Sequence, residues 1–170
     1  MKKIKTDLLV IGAGSGGLVV ASGAAQLGAN VVLVEGGRMG GDCLNYGCVP
    51  SKALLAAANT AKQVNQSDKF GIKAEIVDLD YARVMSYVEK KIAEIAPHDS
   101  QERFEAMGVT VLRDYAQFKD PKTVVVGNSE ITARRIVLAT GSRAKIPNIE
   151  GLNKVNYLTN ESLFDLRKAP

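Results

Sequence analysis

The hydrophobic pattern opens with a short run, Thr6 to Ile11 (TDLLVI), apolar enough to predict a strand buried on both faces. Leu18 to Leu27 is built from small apolar residues and predicts a helix, and Asn30 to Val34 predicts a second, β-branched strand that ends in Glu35. Pro50 to about Val64 carries Ala at 53, 56, 57, 58 and 61, a composition that favours helix and close packing. Gln66 to Val77 is polar and irregular, a surface loop. Tyr81 to Ile95 is amphipathic, with Val84, Val88, Ile92 and Ile95 on one face, and Pro97 ends it. Asp99 or Ser100 can cap a further short helix to Met107, with Gly108 as its stop. From Val109 the pattern turns to strands, VTVLRDYAQF, TVVV and EIT, the last two joined by a Gly127-Asn128 turn. Arg135 to Thr140 (RIVLAT) reads as a last buried strand, closed by Gly141. The order predicts an α/β domain: a parallel sheet with helices on both faces and a small antiparallel β excursion.

Composition narrows the class. At 170 residues and 46% apolar the chain can bury a real core. Its net charge of +4 comes from Lys and Arg that alternate with Asp and Glu, and aromatics are 5%. That is a solvated surface without the basic stripe of a nucleic-acid binder. Leu8 to Val34 holds no charged residue, but Gln26, Asn30 and irregularly spaced glycines argue against a membrane span, which needs about 20 mostly apolar residues. The expected location is cytoplasmic. One His, His98, and a single pair of cysteines exclude an obvious zinc site, and His98 reads as a surface or capping residue.

Two stretches carry chemistry. Between the first strand and helix stands GAGSGG, with Gly12, Gly14 and Gly17 in G-x-G-x-x-G register around Ser15 and Gly16. Gly12 makes the tight turn, Gly14 lets backbone approach a pyrophosphate, and Gly17 lets helix and strand pack closely. Glu35 follows at the distance where a carboxylate accepts from ribose hydroxyls. The fingerprint marks a dinucleotide site without choosing between NAD and FAD. The second stretch, Gly40 to Leu55, is GGDCLNYGCVPSKALL. Cys43 and Cys48 are four residues apart, and Pro50 suits the first turn of the helix that follows, so Cys48 falls just ahead of a helix N-terminus that favours thiolate. Two thiols so spaced can close and reopen a disulfide. Read by spacing alone, two half-buried cysteines that never meet fit equally well.

GGDCLNYGCVPSKALL resembles the redox-active disulfide motif of the flavin-dependent pyridine-nucleotide disulfide oxidoreductases, in the branch of dihydrolipoamide dehydrogenase and mercuric reductase. It departs at Asp42, where the family usually has Thr, and at Tyr46, where it usually has Val. ITARRIVLATGS resembles the family's second flavoprotein signature. The resemblance implies a Rossmann-like FAD-binding domain in which Gly12, Gly14, Ser15, Gly16, Gly17, Glu35, Gly36, Gly41, Asp42, Ala116, Ala139, Thr140 and Gly141 bind FAD. It implies Cys43 as the interchange thiol, Cys48 as the thiol against the flavin ring, and Lys52 beside the flavin N5.

By the same resemblance, residues 1–150 form the first segment of the FAD-binding domain and 151–170 lead toward an NAD(P)H-binding domain. The expected whole is a homodimer passing electrons between NAD(P)H, FAD, the Cys43–Cys48 disulfide and a small-molecule disulfide, dithiol or mercuric ion. Residues 1–170 are then an N-terminal fragment, inactive by itself. The competing expectation is a non-catalytic dinucleotide-binding module with structural cysteines.

Overall fold

Strand β1 (Lys2–Ile11) runs parallel to β2 (Val31–Val34) on one side and to β6 (Ser129–Leu138) on the other, in a computed structural model that describes residues 1–170. Leu8 pairs with Val31 and Ile11 with Val34, while Lys2 through Ile11 pair with Ser129 through Leu138. The strand therefore begins four residues earlier than its apolar run. Its first half is held by the ladder to β6, so Lys2, Lys3 and Lys5 pair in the sheet and stay exposed. Between β1 and β2 lies α1 (Ser15–Gln26), which buries Gly17, Leu18 and Ala21. It closes with Gly28 at φ +83° and a pair of terminal hydrogen bonds, Gly28 N–H to Ala25 and Ala29 N–H to Ala24, that satisfy its last carbonyls.

The sheet has six strands in the order β3-β2-β1-β6-β5-β4, where β3 is Thr110–Leu112, β4 is Ala116–Asp120 and β5 is Thr123–Val126. Strand β3 is parallel to β2, whereas β4, β5 and the start of β6 form an antiparallel meander. Two expectations change here. VTVLRDYAQF is two strands at opposite edges of the sheet, because the chain leaves β2 at Arg113–Tyr115 before joining β5. EIT and RIVLAT are one strand, which ends at Leu138 rather than Thr140 and is buried only in part, at Ile131 and Ala133. Pairing with β1 carries it through Ala133 and Arg134, the two residues between the expected strands.

Side chains alternate across this sheet. Val10, Val31, Leu33 and Val111 point to one face, where Leu18 and Ala21 of α1 and Phe104 of α5 (Gln101–Ala106) complete a cluster. Leu9, Ile11, Val32 and Val34 point to the other and join Val124, Val126, Ile131 and Ala133 of the antiparallel strands. Every residue of β2 is buried, the signature of a strand covered on both sides. Ser100, not Asp99, caps α5, accepting the Arg103 N–H at 3.3 Å. His98 sits exposed in the turn before it.

The chain divides into two units, one of Met1–Cys43 with Ile95–Arg143 and one of Leu44–Glu94 with Ala144–Pro170. The first contains the sheet. The second is helical, with α3 (Cys48–Asn65), nearly all of α4 (Tyr81–Ile95) and α6 (Asn160–Leu163); α2 (Gly41–Asn45) spans the boundary in sequence. Its core is Ala53, Met85 and Val88, flanked by Leu54, Tyr81, Ile92 and Phe164. The inward face of α4 is thus Tyr81, Met85, Val88 and Ile92, whereas Val84 is half-buried and Ile95 is exposed. A step of 100° per residue puts Val84 and Ile95 to one side of the stripe centred on Met85 and Ile92.

Candidate functional site

The glycines of the first turn separate into two kinds. Gly12 has φ +106°, and a Cβ there would stand 2.2 Å from the Ala139 carbonyl oxygen. A Cβ on Gly17 would stand 1.8 Å from the Gly12 oxygen. The fold itself demands both: Gly12 lets β1 end against β6, and Gly17 lets α1 start directly over the turn. Gly14 and Gly16 differ, since a Cβ on Gly14 would meet only Gly41 Cα at 3.9 Å and one on Gly16 would meet nothing within 4 Å. No atom of the chain requires these two to be glycine. They leave a bare backbone cradle at the start of a 12-residue helix whose first N–H groups have no intrahelical acceptor and no side-chain cap. A diphosphate fits such a cradle by its geometry and its charge.

Around the cradle the unit holds a cavity of about 260 Å³. Its wall includes Gly12, Gly14, Glu35, Gly36, Gly41, Asp42, Ala116, Ala139, Thr140 and Gly141. These come from the ends of β1, β2 and β6 and the starts of α2 and β4, at the carboxyl edge of the parallel strands, where open α/β sheets take their ligands. Gly41, at φ +57°, packs its Cα against Gly14, and the Gly40 N–H donates to the Ala13 carbonyl at 2.9 Å. The start of the cysteine motif is in this way built onto the glycine turn.

Glu35 is bound more firmly than a ligand-binding acid needs to be. Oε2 accepts the Ala13 N–H at 2.6 Å and Oε1 the Gly37 N–H at 2.6 Å. Arg113 donates to the carbonyls of Glu35 and Gly37, tying the end of β3 to the same loop. The carboxylate retains lone pairs for ribose hydroxyls, since two oxygens offer about four acceptor positions. Three acids, Glu35, Asp42 and Asp114, are among the residues that line the cavity.

Five wall residues were not among the expected site residues: Ile11 and Val34, at the strand ends, and Asp114, Tyr115 and Ser142. Tyr115 lies in the link that reads as uninterrupted strand, so nothing in the pattern set it apart. Ser15, Gly16 and Gly17 are not in the wall, and neither are Cys43, Cys48 and Lys52. Cys43 is half-buried within α2, and Cys48 is exposed. Cys48 is the first residue of α3, so the helix starts two residues earlier than Pro50, which is buried in its third position. Lys52 is exposed at the fifth position of the helix.

Comparison with known proteins follows the same line. A family model described as pyridine nucleotide-disulphide oxidoreductase matches residues 6–170. The dihydrolipoyl dehydrogenase of Geobacillus stearothermophilus is 39% identical over 98% of this chain and 36% of its own length. The mercuric reductase of Lysinibacillus sphaericus is 33% identical over 96% of this chain and 30% of its own length. The chain thus spans about a third of the curated relatives it matches. Among solved structures, the Cu(II) complex of the HOCl-induced flavoprotein disulfide reductase RclA from Escherichia coli shares the fold, with a TM-score of 0.78 over 95% of this chain and 34% of that one, at 22% identity.

Proposed function

The chain belongs to the pyridine nucleotide-disulphide oxidoreductase family, and we propose that it is the FAD-binding, dithiol-bearing part of a flavin-dependent NAD(P)H:disulfide oxidoreductase. The observation that carries this reading is the cavity that gathers ten of the residues expected to bind cofactor around Gly14, a position left open by every other atom of the chain. The Gly14–Gly17 turn and the N–H groups that open α1 hold the diphosphate, and Glu35 accepts from the adenosine ribose. When bound, the flavin supplies two-electron exchange between a nicotinamide and a thiol pair.

The thiol pair is Cys43 and Cys48. In the reduced form the Cys43 thiolate attacks one sulfur of a substrate disulfide, forming a mixed disulfide and releasing the first product thiolate. The Cys48 thiolate then attacks the Cys43 sulfur, closing the Cys43–Cys48 bond and releasing the second. By the motif resemblance, Lys52 would supply a cation to the flavin. The substrate class is a small dithiol or disulfide of the lipoamide type, or a mercuric ion, in line with the dihydrolipoyl dehydrogenases and mercuric reductases among its relatives. A homodimer in the cytoplasm, drawing on NAD(P)H bound by a further domain, completes the proposal. Mass spectrometry of peptides from unreduced protein tests the thiol half. A Cys43–Cys48 bond that forms with oxidant and opens with dithiothreitol supports exchange, and its absence under oxidising conditions would leave a dinucleotide-binding module with structural cysteines.

A further inference from the structure

Two of the three acids in the cavity wall have work within the fold. Both Glu35 oxygens accept backbone N–H groups. In Asp114, Oδ1 accepts the Tyr115 N–H at 2.7 Å, and Oδ2 lies 3.0 Å from where a Cβ on Gly127 would stand. Asp114 thus belongs to the joint between the link that precedes β4 and the turn between β5 and β6. Asp42 stands elsewhere, directly after Gly41, on which a Cβ would come 2.6 Å from Gly14 Cα. Consecutive Cα atoms are ~3.8 Å apart, so Asp42 Cα lies within about 8 Å of Gly14 Cα. The residue is exposed and lines the same cavity as Gly12 and Gly14. Its backbone cannot swing away without opening the Gly41–Gly14 contact and the Gly40 N–H bond to Ala13.

Resting on the reading of this cavity as a dinucleotide site, we propose that Asp42 is a specificity-determining residue that favours a diphosphate esterified at both ends over one with a free terminal phosphate. Each phosphate inside a dinucleotide carries one negative charge. A terminal phosphate monoester carries about −1.5 to −2 near neutral pH, so it brings up to about one further charge into the field of Asp42. The N–H groups that open α1 attract any anion and, acting alone, would favour the more charged ligand. The Asp42 carboxylate opposes that preference. One charge against another at about 8 Å changes affinity by about 2- to 30-fold, for an effective dielectric constant between about 80 and about 20. Asp42 therefore weakens ADP and ATP more than it weakens a dinucleotide, and keeps the cavity from filling with mononucleotides.

The test is calorimetric titration of the 170-residue chain and of Asp42→Asn with ADP and with ADP-ribose, which share the adenosine diphosphate and differ in the ester on the terminal phosphate. The expected result is that Asp42→Asn tightens ADP by about 2- to 30-fold more than it tightens ADP-ribose. The ratio of the two affinities within one protein is insensitive to a partial loss of folding. A ratio that stays the same in Asp42→Asn, or moves toward ADP-ribose, overturns the role of Asp42 and leaves the cavity reading standing. If the unmodified chain binds neither nucleotide, the cavity reading fails and the role of Asp42 falls with it. Should Asp42→Asn fail to fold, the salt dependence of the unmodified chain decides. Raising NaCl from about 0.05 to about 0.5 M shortens the screening length to about 4 Å. The ratio should then move toward ADP, and a ratio that is constant or moves the other way overturns the proposal.

Discussion

Glu35 accepts the Ala13 N–H at 2.6 Å, so the acid that ends β2 fastens the glycine turn that ends β1. With Gly37 on its second oxygen, one carboxylate ties the loop after β2 to the turn after β1. Ala13 is fully buried, and its N–H has no water to turn to if Glu35 is removed. Glu35→Ala should cost about 1–3 kcal/mol for each charged hydrogen bond lost, read as a lower urea midpoint. Glu35→Gln, with one carbonyl oxygen left, should fall between the two. An acid needed only for a ribose would leave the unliganded chain's stability unchanged.

The turn glycines should divide by experiment as they divide by geometry. Gly17→Ala forces a methyl against the Gly12 carbonyl and should destabilise by about 1–3 kcal/mol or more, seen as a falling thermal midpoint. Gly16→Ala meets no atom of the chain and should leave the midpoint equal or higher, because Ala favours helix over Gly by up to about 1 kcal/mol. Equal losses in both variants would mean that the space at Gly16 is needed by the fold.

Met85 is fully buried among Ala53, Val88 and Ile92 in the smaller core. Met85→Ala should cost about 2–5 kcal/mol, and hydrogen exchange should quicken in α3 and α4. Leu33→Ala, in the sheet core, should act at a similar scale but loosen β1 and β2. Identical exchange patterns from the two variants would count against two separately packed cores.

One ion pair gives a signed pH effect. Lys119 on β4 reaches past β5 to Glu130 on β6 at 2.8 Å. Its ammonium holds the Glu130 carboxyl below the ordinary glutamate value, and Glu130 in turn raises Lys119. A depressed carboxyl contributes stability above its unfolded value and loses it as pH falls through the lower, folded one. Glu130→Gln should therefore flatten the acid side of the stability profile, by a small amount because both groups face solvent. A steeper acid-side loss in the variant would contradict the pairing.

The sequence made the β-α-β unit legible because three independent signals coincide there: a buried apolar run, glycines in register and an acid at the next strand end. Ten residues of the cavity wall coincide with those that these signals and the motif resemblance singled out. Glu35's grip on Ala13 was hidden, since both partners on its oxygens are backbone N–H groups that carry no sequence mark. The split at Arg113–Tyr115 was hidden too: alternation runs through it, and only the competition between β2 and β5 for neighbouring segments decides where the chain turns. The continuous β6 was read as two strands, EIT and RIVLAT, separated by Ala133 and Arg134, until β1 supplies a full-length partner. Only folding puts Tyr115 in the cavity wall against Gly36.

The central claim is that Gly14 is glycine for the sake of a bound dinucleotide. Its most direct test is the visible absorption spectrum of the purified chain and of Gly14→Ala, each soaked with FAD and desalted, alongside their thermal midpoints. A Cβ at Gly14 meets the chain only at 3.9 Å. The expected result is a flavin band retained by the unmodified chain and lost in Gly14→Ala at an unchanged midpoint. Flavin held equally by both proteins would contradict the account, as would a variant that loses the fold along with the colour.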